Sequence, residues 1–317
     1  SHFSIRFEFS NDKMRMIIVM RLAHLILAHN DPELIGRLVK KLTSFSDVYI
    51  HIDKKVDIKK FTECVGYNPR CIFIDKRYSC NWGGWNAVRA EIELVKVALK
   101  TNQYDRLVFL QGADYPIKSS EYIMSYFEKY SKVEFNRACC ISGQKDEYFS
   151  SLCCELHFLN YHNFLERCIN RVARKYCGKM FRRSGFIKAN HKRYPVYWGS
   201  AQWAITGECA KYISDFYDTN KTFNSWFWHC FPSDELYFST VIMNSFFAEM
   251  TLKGGPEICR KGLVNWRNLH YFEYLPGEIK ILTEGDWETI KQRDELYIRK
   301  VSSKRSGILL DLIDDNI

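Results

Sequence analysis

The sequence predicts an α/β protein with a mostly parallel central sheet flanked by helices in three layers. Short apolar runs alternate with stretches of helical periodicity through the first 112 residues, which is the pattern of parallel strands joined by crossover helices. Polar residues suited to chemistry gather where those runs end, and ligands in such sheets bind beyond the carboxyl ends of the strands. At 317 residues the chain has ample length for one large core.

The elements follow in order. LAHLILA (22–28) is the first strand. Asn30-Asp31-Pro32-Glu33 then reads as a helix start, with a side-chain cap, a proline in the first turn and an acid against the dipole, leading a helix over 31–44. DVYIHID (47–53), CIFID (71–75) and RLVFLQG (106–112) are the next strands, with a helix over 85–100 before the last. His29, Asp53, the loop 78–85 and Asp114 all fall at strand carboxyl ends. Further on, PVYWGSAQWAIT (195–206) is strand-like, and helices are expected near 207–218, 233–245 and 286–294. The expected organisation is an extension over 1–21 outside the fold, one catalytic-type domain over 22–302 with an excursion at about 134–195, and a tail over 303–317.

Composition limits the partners. The formal charge of +9 at pH 7 suits an anionic partner, and the 15% aromatic content suits a large core or stacking surfaces for sugars and bases. Of twelve cysteines, two pairs are vicinal, Cys139-Cys140 and Cys153-Cys154, and none has zinc-site spacing. Free thiols in a reducing cytoplasm are expected. The run from Met14 to Ala28 is too short and too charged to span a bilayer. Residues 160–193 carry ten Lys/Arg against one acid, Glu166, and Phe164, Leu165, Ile169, Val172 and Tyr176 recur there at near-helical spacing. That segment is expected either as a helix packed on the sheet with a solvated basic face, or as a peripheral contact with an anionic inner membrane.

Several residues carry two readings each. In FPSDEL (231–236), Asp234 and Glu235 either cap a helix or supply a general base. SCNWGGWNAVRAE (79–91) is a tight turn with two core tryptophans, or a glycine-lined approach to a ligand with Trp82 stacking on a ring. Asp53 is a turn acid or a ribose or base contact, Trp266 a core filler or a sugar platform, and Lys300 a solvated lysine or a functional one. FLQGADYPIK (109–118) offers Asp114 alone, and no Asp-x-Asp occurs in the chain. A diphosphate here would need side-chain cations.

The order of LILAHNDPEL, YIHIDKK, SCNWGGWNAVRAE, FLQGADYPIK, YWGSAQWAIT, FPSDELYFSTVIMNS and ILTEGDWETIKQRDELYIRK resembles the core-2/I-branching β-1,6-N-acetylglucosaminyltransferase family, in a bacterial form, over about residues 22–302. The family also includes peptide O-xylosyltransferases. The resemblance implies a GT-A-type glycosyltransferase fold and an inverting, metal-independent transfer from a UDP-sugar, GlcNAc or xylose foremost, to an acceptor hydroxyl, giving a β-linkage. No cofactor is implied, since the UDP-sugar is a substrate. Carried over, Glu235 falls on the catalytic base. Ala28, His29, Asp53, Trp82 and Gly83 fall on the nucleotide side, and Lys300 on a cation gripping the diphosphate. Asp114, Ser200, Gln202 and Trp266 fall on donor- or acceptor-sugar contacts. Gly277 stands where mammalian members carry a second diphosphate-binding Arg, and Lys280 is the expected substitute. A glycan or lipid-linked saccharide is the expected acceptor, nucleic acid is not an expected partner, and the expected location is the cytoplasm, at its membrane face if the basic segment binds there. Two rivals stand: a metal-dependent sugar or nucleotidyl transferase of the same fold, and a non-catalytic carbohydrate-binding protein.

Overall fold

The computed structural model describes residues 20–317 except 162, 178 and 179, together with the backbone of an antiparallel pair, Ile5–Glu8 with Arg15–Ile18. The rest of the expected extension over 1–21, and Lys179 of the basic segment, lie outside the described residues.

Five strands form the main sheet in the order Ala204–Thr206, Arg106–Gln111, Leu22–Ala28, Asp47–Ile52, Cys71–Phe73. The last four are mutually parallel, and Ala204–Thr206 runs antiparallel at the edge. Both faces are covered, and each strand divides its side chains between two cores as the period of two demands. Ala23, Leu25, Leu107 and Phe109 face one core; Leu22, Ile26, Val108 and Leu110 face the other. The first core is closed by Trp85–Thr101 and Ser233–Met243, the second by Pro32–Leu42 and Gly307–Asn316.

The helix Pro32–Leu42 starts as its sequence dictates: the Asp31 carboxylate accepts from Leu34 N at 3.2 Å and Pro32 fills the first turn. The stretch 195–206 corrects the expectation of one strand. Tyr197–Gly199 pairs with Ala138–Cys140, whereas Ala204–Thr206 joins the main sheet, and the chain turns between them at Ser200 to Trp203. Residues 303–317 are not a loose tail. The helix Gly307–Asn316 buries Leu309, Leu310 and Ile313, and Arg37 pairs with both Asp311 and Asp314 at 2.8 Å. The helix expected at 286–294 is only one turn, Trp287–Ile290.

A second, three-stranded sheet lies past the carboxyl end of Arg106–Gln111. In it Tyr297–Arg299 runs between His270–Tyr271 and Asp114–Pro116, and Arg299 stands opposite Asp114. This register carries the C-terminal cations back to the ends of the main strands.

Candidate active site

The strand Leu22–Ala28 ends against the glycine of FLQGADYPIK. A Cβ on Gly112 would lie 2.8 Å from Ala28 Cβ, so only glycine permits this approach of the two strand ends. His29 follows on the surface. Partial burial lowers its pKa, with Lys55, Lys300 and Arg299 adding to the depression and Asp53 opposing it, which identifies the charges converging on this loop.

Asp53, at the end of Asp47–Ile52, is buried. Its oxygens accept from Lys55 N at 2.8 Å and Cys80 N at 3.1 Å. The carboxylate therefore ties the 78–85 loop to its strand end. That loop continues to Gly83, whose φ is +67° and whose O accepts from Ser233 N at 2.8 Å. A Cβ at Gly83 would lie 2.5 Å from the Phe231 ring, so glycine is required by both conformation and contact. The Gly-Gly turn is thus the seat for the start of the helix Ser233–Met243. Trp82 packs edge-on against Phe231 at 4.8 Å and is otherwise 84% exposed.

At that helix start the two adjacent acids separate in role. Asp234 accepts from Glu235 N at 3.2 Å within the first turn, the cap position itself being Pro232 without a side-chain bond. Glu235 does not cap; its carboxylate turns away to accept from the Trp198 indole N–H at 2.7 Å. Burial first, and the charge of Asp234 second, push Glu235 up to about 8 against the opposing effect of that indole bond. Burial raises Asp234 as well, with Arg299 opposing. Beneath them Glu91, on the helix Trp85–Thr101, is fully buried and accepts from Trp203 Nε1 at 3.1 Å; burial and then Asp234 push it well above the carboxylate range. The Cys80 thiol is raised by burial and by Asp53, Glu91 and Asp234, so the 78–85 loop and the acid cluster share one electrostatic environment.

The carried-over cations differ in availability. Among the described residues no carboxylate pairs with Lys300. Lys280 is the opposite case: its ammonium lies 2.9 Å from Glu273 and 2.6 Å from Asp286. Two carboxylates already surround that lysine, three residues on from Gly277. Lys304 and Arg305 are exposed in the turn after Lys300, where Ser303 holds Asp31 at the first helix start.

Four expected sugar contacts are otherwise engaged. Asp114 is fully buried, with Oδ1 2.6 Å from Arg299 and Oδ2 accepting from Gln111 N at 2.7 Å. His270 Nε2 lies 3.2 Å from Oδ2, an ion-pair distance without hydrogen-bond alignment. Although burial opposes ionisation, Arg299 and His270 hold Asp114 below the usual carboxylate range. Trp266 is 2% exposed, its N–H given to Arg260 O and its ring meeting the edge of Trp198 at 5.4 Å. It is a core residue supporting Trp198, which corrects its reading as a stacking platform. Ser200 and Gln202 contact each other at 3.1 Å across the turn between two strands.

Sequence reasoning missed Trp198, Glu91 and Tyr148. Tyr148 meets Trp198 edge-on at 6.0 Å, and its pKa is raised by burial and then by the charge of Glu235. It also lines an open cavity of about 470 Å³ with Asp146, Glu147, Ser151, Glu155 and Lys261. No short motif announces this side of the site, because Tyr148 and Trp198 meet across fifty residues. Among the described residues no group of three His, Cys, Asp or Glu side chains is arranged to hold a metal ion.

A family model described as Core-2/I-Branching enzyme matches residues 22–268, more than half of the chain. No curated protein matches it. Among solved structures, the chain is similar to the crystal structure of 4-diphosphocytidyl-2C-methyl-D-erythritol synthase from Anaerococcus prevotii, at 12% identity and a TM-score of 0.30 over 64% of this chain and 77% of that one. A likeness of that size carries no argument.

Proposed function

This chain belongs to the core-2/I-branching enzyme family of GT-A-like glycosyltransferases, and from that premise we propose that it transfers a sugar from a UDP-sugar to an acceptor hydroxyl with inversion, using Glu235 as general base. The observation that carries the reading is the carboxylate of Glu235. It sits in the first turn of a helix without capping it, is aimed by the Trp198 indole, and has a pKa pushed up to about 8. A base of that strength holds a proton well near neutral pH, and a rigid donor keeps its lone pair directed.

In the proposed reaction the acceptor oxygen attacks the anomeric carbon from the face opposite UDP. Its proton passes to Glu235 Oε1 or Oε2, the anomeric C–O bond to UDP breaks, and the electron pair leaves on the diphosphate. An α-linked donor gives a β-linked product. The ammonium of Lys300, unmatched by a carboxylate among the described residues, supports a metal-free reading in which side-chain cations meet the leaving diphosphate. The absence of an Asp-x-Asp motif points the same way. GlcNAc or xylose is the proposed donor sugar. A glycan or lipid-linked saccharide is the proposed acceptor, entering past Tyr148, whose hydroxyl and ring border both the base and an open cavity. Twelve free cysteines support a reducing, cytoplasmic setting.

The non-catalytic alternative relied on tryptophan platforms and on Glu235 as a cap. Trp266 is buried and Glu235 does not cap. The direct test is Glu235→Gln, assayed by UDP release with a panel of UDP-sugars. Turnover falls about 100-fold or more, the span a general base contributes, with melting temperature and UDP affinity nearly unchanged. A variant that keeps most of its activity overturns the assignment.

A further inference from the structure

The helix Phe164–Tyr176 is turned inside out. Phe164, Leu165, Ile169, Val172 and Tyr176 are between 57% and 79% exposed, and no residue of the helix is buried. The residues with partial cover are Glu166, Asn170 and Ala173, continued by Cys177, a spacing of four, three and four that marks the face leaning on the protein. A helix of a globular protein puts its apolar stripe against the core and its polar face outward. This one does the reverse. At 100° per residue its apolar side chains fill an arc of about 140° facing solvent, and Met180 and Phe181 extend the exposed apolar surface beyond its end.

Charge says what kind of surface covers it. Arg167, Arg171, Arg174 and Lys175 are all exposed and lie along one margin of the apolar arc, while Glu166 is on the side facing the protein. An apolar stripe bordered by cations matches an anionic bilayer, where acyl chains receive the stripe and headgroup phosphates meet the cations. A helix of this length lies flat over about 20 Å. Among the described residues no helix is long and apolar enough to cross a membrane, so the contact is peripheral.

The segment is also tied to the candidate site at both ends. Asn81 Nδ2 donates to the carbonyls of Leu159 at 2.8 Å and Tyr161 at 3.0 Å, and Asn160 Nδ2 donates to Trp228 O at 2.8 Å. Arg183 donates to Cys153 O at 3.2 Å and to Trp226 O, and stacks 3.6 Å from the centre of the Trp226 ring. We propose that the helix Phe164–Tyr176 is an interfacial anchor that seats the protein on an anionic membrane surface, beside the loop that supports the start of the Glu235 helix. This anchor stands whether or not the reaction is glycosyl transfer, and its test does not read activity.

The test is co-sedimentation of the full chain with vesicles of phosphatidylcholine alone and of phosphatidylcholine with about one third phosphatidylglycerol. The parent partitions at least tenfold more strongly to the anionic vesicles, and rising salt weakens the binding. Ile169→Glu with Val172→Glu removes the binding at least tenfold. Both side chains already face water, so the melting temperature holds. Arg167→Gln with Arg171→Gln lowers it severalfold. Equal recovery on the two vesicle types overturns the proposal, as does full binding by the Ile169→Glu, Val172→Glu variant. A parent that is dimeric by light scattering, becomes monomeric in that variant, and binds neither vesicle also overturns it by assigning the face to a second copy of the chain.

Discussion

Replacing Trp198 by Phe tests the base through its aim rather than by deleting it. The indole N–H reaches Glu235 at 2.7 Å and is the contact that favours the ionised carboxylate against burial and Asp234. A hydrogen bond to a charged group is worth about 1.5–3 kcal/mol net, and one pKa unit corresponds to about 1.36 kcal/mol. Losing the donor therefore raises Glu235 by about one to two units, from about 8 towards 9 or 10. A base must be deprotonated to act, so kcat/KM rises with pH along an acid limb set by the free enzyme's base. At pH 7 the ionised fraction then falls by roughly 10- to 100-fold, and kcat/KM falls with it. At high pH the variant recovers much of the parental value.

The assay is UDP release across pH 6 to 10 for the parent, Trp198→Phe and Glu235→Gln, with melting curves at each pH. The parent shows an acid limb near 8, Trp198→Phe shows the limb moved to higher pH, and Glu235→Gln is slow with no such limb. A folded Trp198→Phe whose limb stays at the parental midpoint refutes the reasoning, because the indole bond would then have no grip on the base.

Lys300→Ala lowers UDP affinity and turnover by roughly tenfold or more, whereas Lys280→Ala leaves UDP affinity in place because its partners Glu273 and Asp286 already hold it; turnover survives EDTA, and loss restored by manganese refutes the metal-free reading. Glu91→Gln stabilises the fold increasingly as pH rises from 5 to 8. The folded Glu91 keeps its proton while the unfolded one ionises near 4.5, so the folded state binds the extra proton and stability falls with pH by up to about 1.36 kcal/mol per unit. A variant-minus-parent difference in melting temperature that stays flat across that range refutes it. Arg299→Met costs about 3–5 kcal/mol at pH 7 by leaving Asp114 buried without its cation. Asp114 is depressed in the fold, so that stabilisation is present above the ordinary carboxylate range and is lost as pH falls; a urea midpoint showing under about 1 kcal/mol of loss at pH 7 refutes the pairing.

The parallel core was legible because its strands are short apolar runs with both faces covered, and because Asn30 to Glu33 carries a complete helix start. The break at Ser200 to Trp203 was not, since Tyr197–Gly199 and Ala204–Thr206 both look like strand and differ only in which distant partner they pair with. The same limit governs the site. Asp53 stands at a strand end, Gly83 in a tight turn and Glu235 in the first turn of a helix, positions that the local sequence marks. The engagement of Trp266 with Trp198, of Lys280 with Glu273 and Asp286, and of Asp114 with Arg299 is not legible in local sequence, because these partners are remote or in a loop whose folding the sequence does not express. The apolar stripe of 164–176 was visible in its spacing, but which way it faces depends on how Asn81 and Arg183 fix the segment's two ends.

The cation inventory at the strand ends bears directly on how a diphosphate is met. Arg299 is committed to Asp114, and Lys280 is shared by two acids. Lys55 spans Asp53 and the backbone of the Cys80 loop. Lys300, Lys304 and Arg305, the last two in the turn that Ser303 pins to Asp31, have no carboxylate partner among the described residues, and neither does the exposed Lys54 after Asp53. The spent cations are structural: they hold the second sheet, the 273–286 segment and the 78–85 loop in register. Of the unspent ones, Lys300 acts on His29, whose pKa it lowers together with Lys55 and Arg299. An arriving diphosphate would therefore neutralise charge that the fold has left uncompensated, rather than compete with internal carboxylates for charge already used. Side-chain cations placed in this way can take over the electrostatic part of a metal's role only if they are not themselves paired, and Lys300 meets that condition where Lys280 does not.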